Sequence, residues 1–157
     1  MDYPVLLRAV RAIDADAVPR LSDIVRAARD LGAVFISRAY GAWYDVEEAT
    51  AAFSAGLDPV FVPPVGPGNV PTMGALLNEG QSILKLDQAD VLALSGDDRL
   101  LPLLQAAQEA GTPVALIAHA CQADGPCVKL ASSEAPAAEY LRTITRAERY
   151  RRSRSAA

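Results

Sequence analysis

Apolar residues recur at three- and four-residue spacing over Leu21, Ile24, Val25, Ala28 and Leu31, with Pro19 at a first-turn position and Gly32 after the last turn. That spacing predicts an amphipathic helix. The apolar run Ala33–Ser37 behind it predicts a short buried strand. Glu47, Glu48 and the alanines predict a helix over Val46–Gly56, and Pro59–Val62 the next strand, closed by Pro63 and Pro64. Met73, Leu76, Leu77, Ile83 and Leu84 predict a further helix, interrupted by Gly80. The clearest unit is Asp90–Leu94 as strand, Ser95–Asp98 as turn, Leu100–Ala110 as helix with Gly111 as its stop, and Pro113–Ala118 as strand. These strand runs lack period-two alternation, as expected where both faces are buried. Val5–Ile13 is expected to be the first strand, although Arg8 and Arg11 are costly there. A short helix followed by a strand from Val10 fits the same residues.

Strands and helices thus alternate, which predicts an α/β fold: a three-layer sandwich with a mostly parallel central sheet flanked by helices. At 157 residues the chain suits one domain, expected over residues 1–141, with an Arg-rich, flexible tail over 142–157 that reads as a frayed helix or as disordered. Val91–Leu94 is far short of the ~20 apolar residues that cross a bilayer. The start shows no secretory pattern, so a cytoplasmic protein is expected. A net charge of -4 argues against non-specific polyanion binding, yet the tail concentrates Arg142, Arg146, Arg149, Arg151, Arg152 and Arg154 against Glu148. That tail reads as RNA contact, as a dock for an acidic partner, or as a solubilising end.

In parallel sheets ligands bind beyond the carboxyl ends of strands. Asp14 and Asp16 are expected after one strand, Asp97 and Asp98 after another, where gathered carboxylates suit Mg²⁺ or Mn²⁺ and phosphodiester chemistry. Asp97 and Asp98 also read as caps of the next helix. Tyr40, Trp43 and Tyr44 offer either base stacking or a loop wedged on the core. His119, Cys121 and Cys127 are three soft ligands without a fourth, and read more simply as ordinary side chains at a strand end. The loop at Gly66 to Gly68 lacks the spacing of a phosphate-binding P-loop.

Three stretches, in order, resemble the NYN family, the PIN-like ribonuclease domains that include LabA-like bacterial proteins. Ser95-Gly96-Asp97-Asp98-Arg99-Leu100-Leu101-Pro102-Leu103 is similar to the family's S-x-D-S-D-F-x-P-L, Ser37–Trp43 to its R-x-Y-G-x-W stretch, and Ile13–Val18 to its F-I-D-G-E/D-N-V opening. The resemblance implies a PIN-like fold, with Asp14 and Asp97 as catalytic acids on Mg²⁺ or Mn²⁺ and Asp16 and Asp98 as supporting ligands. A ribonuclease-like domain points to single-stranded RNA as partner, and side-chain chemistry and charge give Arg38, Tyr40, Trp43, Arg99, Arg151 and Arg152 as the residues expected to meet it. The chain departs from the pattern at Ala17, Arg99, Thr72 and Asn78, where the family carries Asn or acids; Glu79 and Asp98 are the nearest substitutes. Arg99, always charged, is expected to pair with Asp97 or Asp14 in place of the metal. The expectation is an RNA-processing or RNA-binding domain with a depleted acidic centre. The alternative is a non-catalytic interaction module that forms homo-oligomers.

Overall fold

The computed structural model describes residues 1–86 and 89–155. Asp2 caps the first helix, α1 (Tyr3–Ile13), its side chain accepting from Val5 N at 3.2 Å, and Pro4 sits in the opening turn where its missing N–H costs nothing. The expected first strand over Val5–Ile13 is therefore a helix. The reason is the placement of the arginines: Tyr3, Leu6 and Val10 are buried at helical spacing while Arg8 and Arg11 stay exposed.

The chain continues as β1 (Ala17–Pro19), α2 (Leu21–Asp30), β2 (Arg38–Gly41), α3 (Val46–Ser54), β3 (Asp58–Phe61), α4 (Thr72–Lys85) and β4 (Leu92–Leu94). A 3₁₀ turn over Asp98–Leu100 leads into α5 (Leu101–Ala110), then β5 (Val114–His119), α6 (Pro126–Leu130), β6 (Ser133–Pro136), β7 (Leu141–Thr143) and α7 (Arg146–Ser155). The fold is mixed α/β. β2 pairs with β3 in parallel, β4 with β5 and β5 with β6 likewise, while β1 and β7 form a small antiparallel pair. No described helix is long and apolar enough to cross a membrane.

Met1 and Asp2 join the two parallel sheets. The Met1 amine donates to Arg38 O at 2.9 Å, Tyr40 N donates to Met1 O at 2.9 Å, and Asp2 N donates to Ser95 O at 2.8 Å. Two residues thus occupy a strand position between β2 and the end of β4. Below them lies a cavity of about 610 Å³ whose lining includes Ile24, Phe35, Ile36, Leu76, Leu92 and Ile117. Ala33–Ser37, expected as a buried strand, flanks this cavity; Phe35 is 90% exposed, and pairing begins only where Ser37 O accepts from Asp58 N. A strand needs neighbours to bury its apolar faces, and this stretch lacks one on the cavity side.

Successive residues of β5 enter two different apolar clusters. Ala115 and Ile117 pack with Leu6, Val10, Ile24 and Val25, whereas Val114 and Leu116 pack with Leu76, Leu100, Leu103 and Leu104. On the second side α4 and α5 meet closely at Gly80, where an added Cβ would lie 2.5 Å from Leu103 Cδ2. Gly111 ends α5 in the left-handed region, φ 74°, as its sequence position suggested.

The segment expected as a tail begins inside β7 and continues as α7, with Ala156 and Ala157 outside the described residues. Thr145 and Glu148 cap each other: Glu148 Oε2 accepts from Thr145 N at 2.8 Å, and Thr145 Oγ1 accepts from Glu148 N at 3.3 Å. These bonds, with Arg142 beside them, hold the Glu148 carboxyl down at about 2.

Candidate functional site

Ser95–Arg99 leaves the carboxyl end of β4 beside Met1–Asp2, so three elements converge there. Asp97 Oδ1 accepts from Arg99 N at 3.1 Å and so caps its own 3₁₀ turn. The Arg99 side chain folds back onto the same carboxylate, Nε to Oδ1 and Nη2 to Oδ2, each 2.9 Å. That two-pronged pairing fixes the guanidinium plane. Arg99 Nη2 also lies 3.9 Å from Asp2 Oδ2, and Nη1 makes no hydrogen bond to a described residue.

Asp2 is fully buried. Its Oδ1 accepts from Thr72 Oγ1 at 3.0 Å, and its Oδ2 is the one buried side-chain polar atom among the described residues with no hydrogen-bond partner. Burial pushes the Asp2 carboxyl above its ordinary range, against the lowering effects of Thr72, the Val5 N–H and Arg99. At Asp97 burial acts upward too, but the Arg99 hydrogen bonds and charge outweigh it and hold the carboxyl low. The arrangement is carboxylate, guanidinium, carboxylate, with one edge of the guanidinium still free among the described residues.

Asp14, expected in the place Asp2 takes, lies elsewhere. Asp2 precedes and Asp14 follows the 11-residue helix α1, so they stand about 18 Å apart at 1.5 Å per residue. Asp14 accepts from Thr143 Oγ1, which, with the Asp16 N–H, holds its carboxyl low, and Asp16 pairs with Arg149. Both serve the β1, β7 and α7 corner. Asp98 turns away from Asp97, accepting from Gln122 N at 3.2 Å. The four acids expected at one centre thus occupy three places, because the first strand position ends at Asp2 rather than near Asp14.

The expected nucleic-acid residues are similarly scattered. Arg38 pairs with Glu79 and lies 3.6 Å from Asp58. Glu79, the expected substitute acid, is thereby engaged away from Asp97. Tyr40 is buried on β2 and cannot present a ring face. Trp43, in the left-handed region at φ 50°, donates from Nε1 to Val60 O at 2.9 Å and stacks on Tyr3 with ring centroids 4.8 Å apart. It is a wedge on the core rather than a platform; Tyr44 beside it is exposed. Arg151 is exposed on α7, and Arg152 lies 3.7 Å from Glu47.

His119 is buried with Nε2 against Glu134 at 2.7 Å, while its Nδ1 accepts from Cys121 N at 3.2 Å. That acceptor role assigns the ring proton to Nε2. Cys121 and Cys127 are free thiols. Burial, then Cys127 and Asp98, pushes the Cys121 thiol up to about 12. Asp2 was missed by sequence reasoning, because no strand pattern precedes it; the Asp2-x-Pro4 helix start was the available signal. No family model and no curated protein matches this chain.

Proposed function

We propose that the chain is a NYN-type, PIN-like domain that binds single-stranded RNA through Arg99 and does not cleave it. The assignment rests on the three motif resemblances, and the two apolar clusters on alternate sides of β5 favour a three-layer arrangement. The carrying observation is the Arg99 guanidinium, forked on Asp97 and directed at Asp2. A fixed cation stands where a metal-dependent nuclease needs an exchangeable one.

Mg²⁺ or Mn²⁺, which the resemblance implies, does not fit the residues present. Such ions take carboxylates, water and substrate phosphate. Here one of the two nearby carboxylates is already doubly hydrogen-bonded to Arg99, and the positions expected to add acids carry Thr72, Asn78 and Arg99 itself. Arg99 instead offers its free edge to a phosphate, a group that guanidinium matches in shape and charge. On this reading the protein works in the cytoplasm, where the two thiols stay reduced.

The test is a cleavage assay with Mn²⁺ and Mg²⁺ on labelled single-stranded RNAs, run beside anisotropy binding. The expected result is binding without metal-dependent cleavage, and weaker binding in Arg99→Ala. Cleavage that vanishes in Asp97→Asn and survives in Arg99→Ala would overturn it. The exposed Phe35 beside the cavity favours a second reading, an interaction module that homodimerises, which sedimentation of the unmodified chain and Phe35→Ser would separate.

A further inference from the structure

The chain has two cysteines, six residues apart, and the fold brings both to one carboxylate. One ligand atom each from Asp98, Cys121 and Cys127 lies within 4.8 Å of the others. Cys127 is fully buried in the first turn of α6, and Cys121 is half-buried on the loop after β5. Their sulfurs approach backbone carbonyls of the Asp97 turn, Cys121 Sγ at 4.0 Å from Gly96 O and Cys127 Sγ at 3.5 Å from Asp98 O.

We propose that Asp98, Cys121 and Cys127 form a site for a thiophilic divalent cation, zinc first, with water in the fourth position. Zinc bonds are about 2.3 Å to sulfur and about 2.0–2.2 Å to oxygen, which sets ligand atoms roughly 3.3–3.8 Å apart in a tetrahedron. Atoms that all lie within 4.8 Å of one another need to close in by at most about 1 Å to reach that spacing. Two thiolates and one carboxylate suit zinc and not magnesium, whose preference is for oxygen alone.

The surroundings are built around these three atoms. Gln122 N–H donates to the Asp98 carboxylate at 3.2 Å, orienting it as an outer hydrogen bond orients a metal ligand. Gly125 leaves the room: a Cβ there would lie 3.0 Å from Gln122 O and 3.3 Å from Asp98 Oδ1. His119 is not a ligand, since Glu134 and the Cys121 N–H occupy both ring nitrogens; it fixes the backbone of Cys121. Binding exchanges two S–H protons for two metal–sulfur bonds, so two protons leave per metal and no electrons move. A bound cation would clasp the Asp97–Arg99 turn to α6.

The experiment is titration of the full reduced chain with Co²⁺ and then Zn²⁺, following thiolate-to-cobalt charge-transfer absorption and proton release by calorimetry in buffers of different ionisation enthalpy. The expected result is one cobalt per chain with an intense charge-transfer band, displacement by zinc, and release of about two protons. Cys127→Ser and Cys121→Ser each weaken the band and the affinity, and Asp98→Asn keeps the band while lowering the affinity. Cys121→Ser, at the half-buried position, keeps the test valid if the buried variant fails to fold. Absence of a charge-transfer band with excess cobalt, or affinity unchanged in Cys121→Ser or Asp98→Asn, overturns the proposal.

Discussion

Replacing Asp97 by asparagine separates an RNA-binding guanidinium from a metal-dependent acid by sign. The amide keeps a side-chain oxygen for the Arg99 N–H, so the 3₁₀ turn retains its cap. The variant loses one negative charge and the strong grip of a carboxylate on Nε and Nη2. A phosphate on the free Nη1 edge would stand about 6 Å from the Asp97 carboxylate, where unit charges repel by about 0.7 kcal/mol in water and about 3 kcal/mol at an effective dielectric of 20. Asp97 and Arg99 side chains are 27% and 56% exposed, which places the effect toward the water limit. Removing the charge is therefore worth about 1 kcal/mol, or roughly fivefold tighter RNA binding. The assay is fluorescence anisotropy of a labelled single-stranded RNA across a salt series, with circular dichroism as a folding check. Arg99→Ala should weaken binding and flatten the salt dependence by about 0.7 in log–log slope, the share of one phosphate contact. If Asp97→Asn folds normally but binds RNA more weakly than the unmodified chain, the carboxylate helps hold the ligand and the reasoning fails.

Other outcomes follow from the packing and the titrating groups. Gly80→Ala forces a methyl to 2.5 Å from Leu103 Cδ2; overpacking of about 1–3 kcal/mol against a helix gain of about 1 kcal/mol leaves a net loss of up to about 2 kcal/mol by urea unfolding. In a Leu103→Ala background the same methyl enters the vacated space and should become neutral or stabilising, which a double-mutant cycle measures. Asp2 has a carboxyl raised above its ordinary 3.8 by burial, so the folded chain holds that proton more tightly than the unfolded chain. Its contribution is full below the unfolded value and is lost as pH rises through the folded value. Asp2→Asn should therefore flatten the stability profile over that window, and a profile unchanged from the parent would show that Asp2 is not the titrating group. Thr145→Ala removes one side of the reciprocal cap and should cost about 1 kcal/mol of local stability, read as faster amide exchange in α7.

Legibility in the sequence followed the range of the forces involved. The unit from β4 through β5 was readable because each boundary has a local cause: Asp97 caps, Gly111 turns left-handed, and β5 is apolar at every position it buries up to His119. The first helix was not, because Val5-Leu6-Leu7 suits either period, and Asp2-x-Pro4 decides it only when weighed against the exposed arginines. The last helix carries a readable capping box, Thr145-x-x-Glu148, but its anchors Asp16 and Glu47 are about a hundred residues or more away in the chain. The candidate site followed the same rule. Asp97 and Arg99 are two residues apart and their pairing was one of the two expected for Arg99, whereas their partner Asp2 is 95 residues or more away in the chain, joined by hydrogen bonds that no local pattern encodes.

The junction at Met1 makes the choice of purification tag a structural variable. The Met1 amine sits in the sheet as a backbone N–H would, and burial first of all pushes its pKa down to about 6. Residues fused ahead of it would lie next to the 610 Å³ cavity, whose lining includes Met1, Arg38 and Leu94. A short apolar leader would find unpaired edges on both sides and add a strand there, while a polyhistidine or Gly-Ser leader would bring polar groups into an apolar cavity and strain the hydrogen bonds that join the sheets. Melting temperatures should therefore rank an apolar leader above the chain starting at Met1, and that above a polar leader.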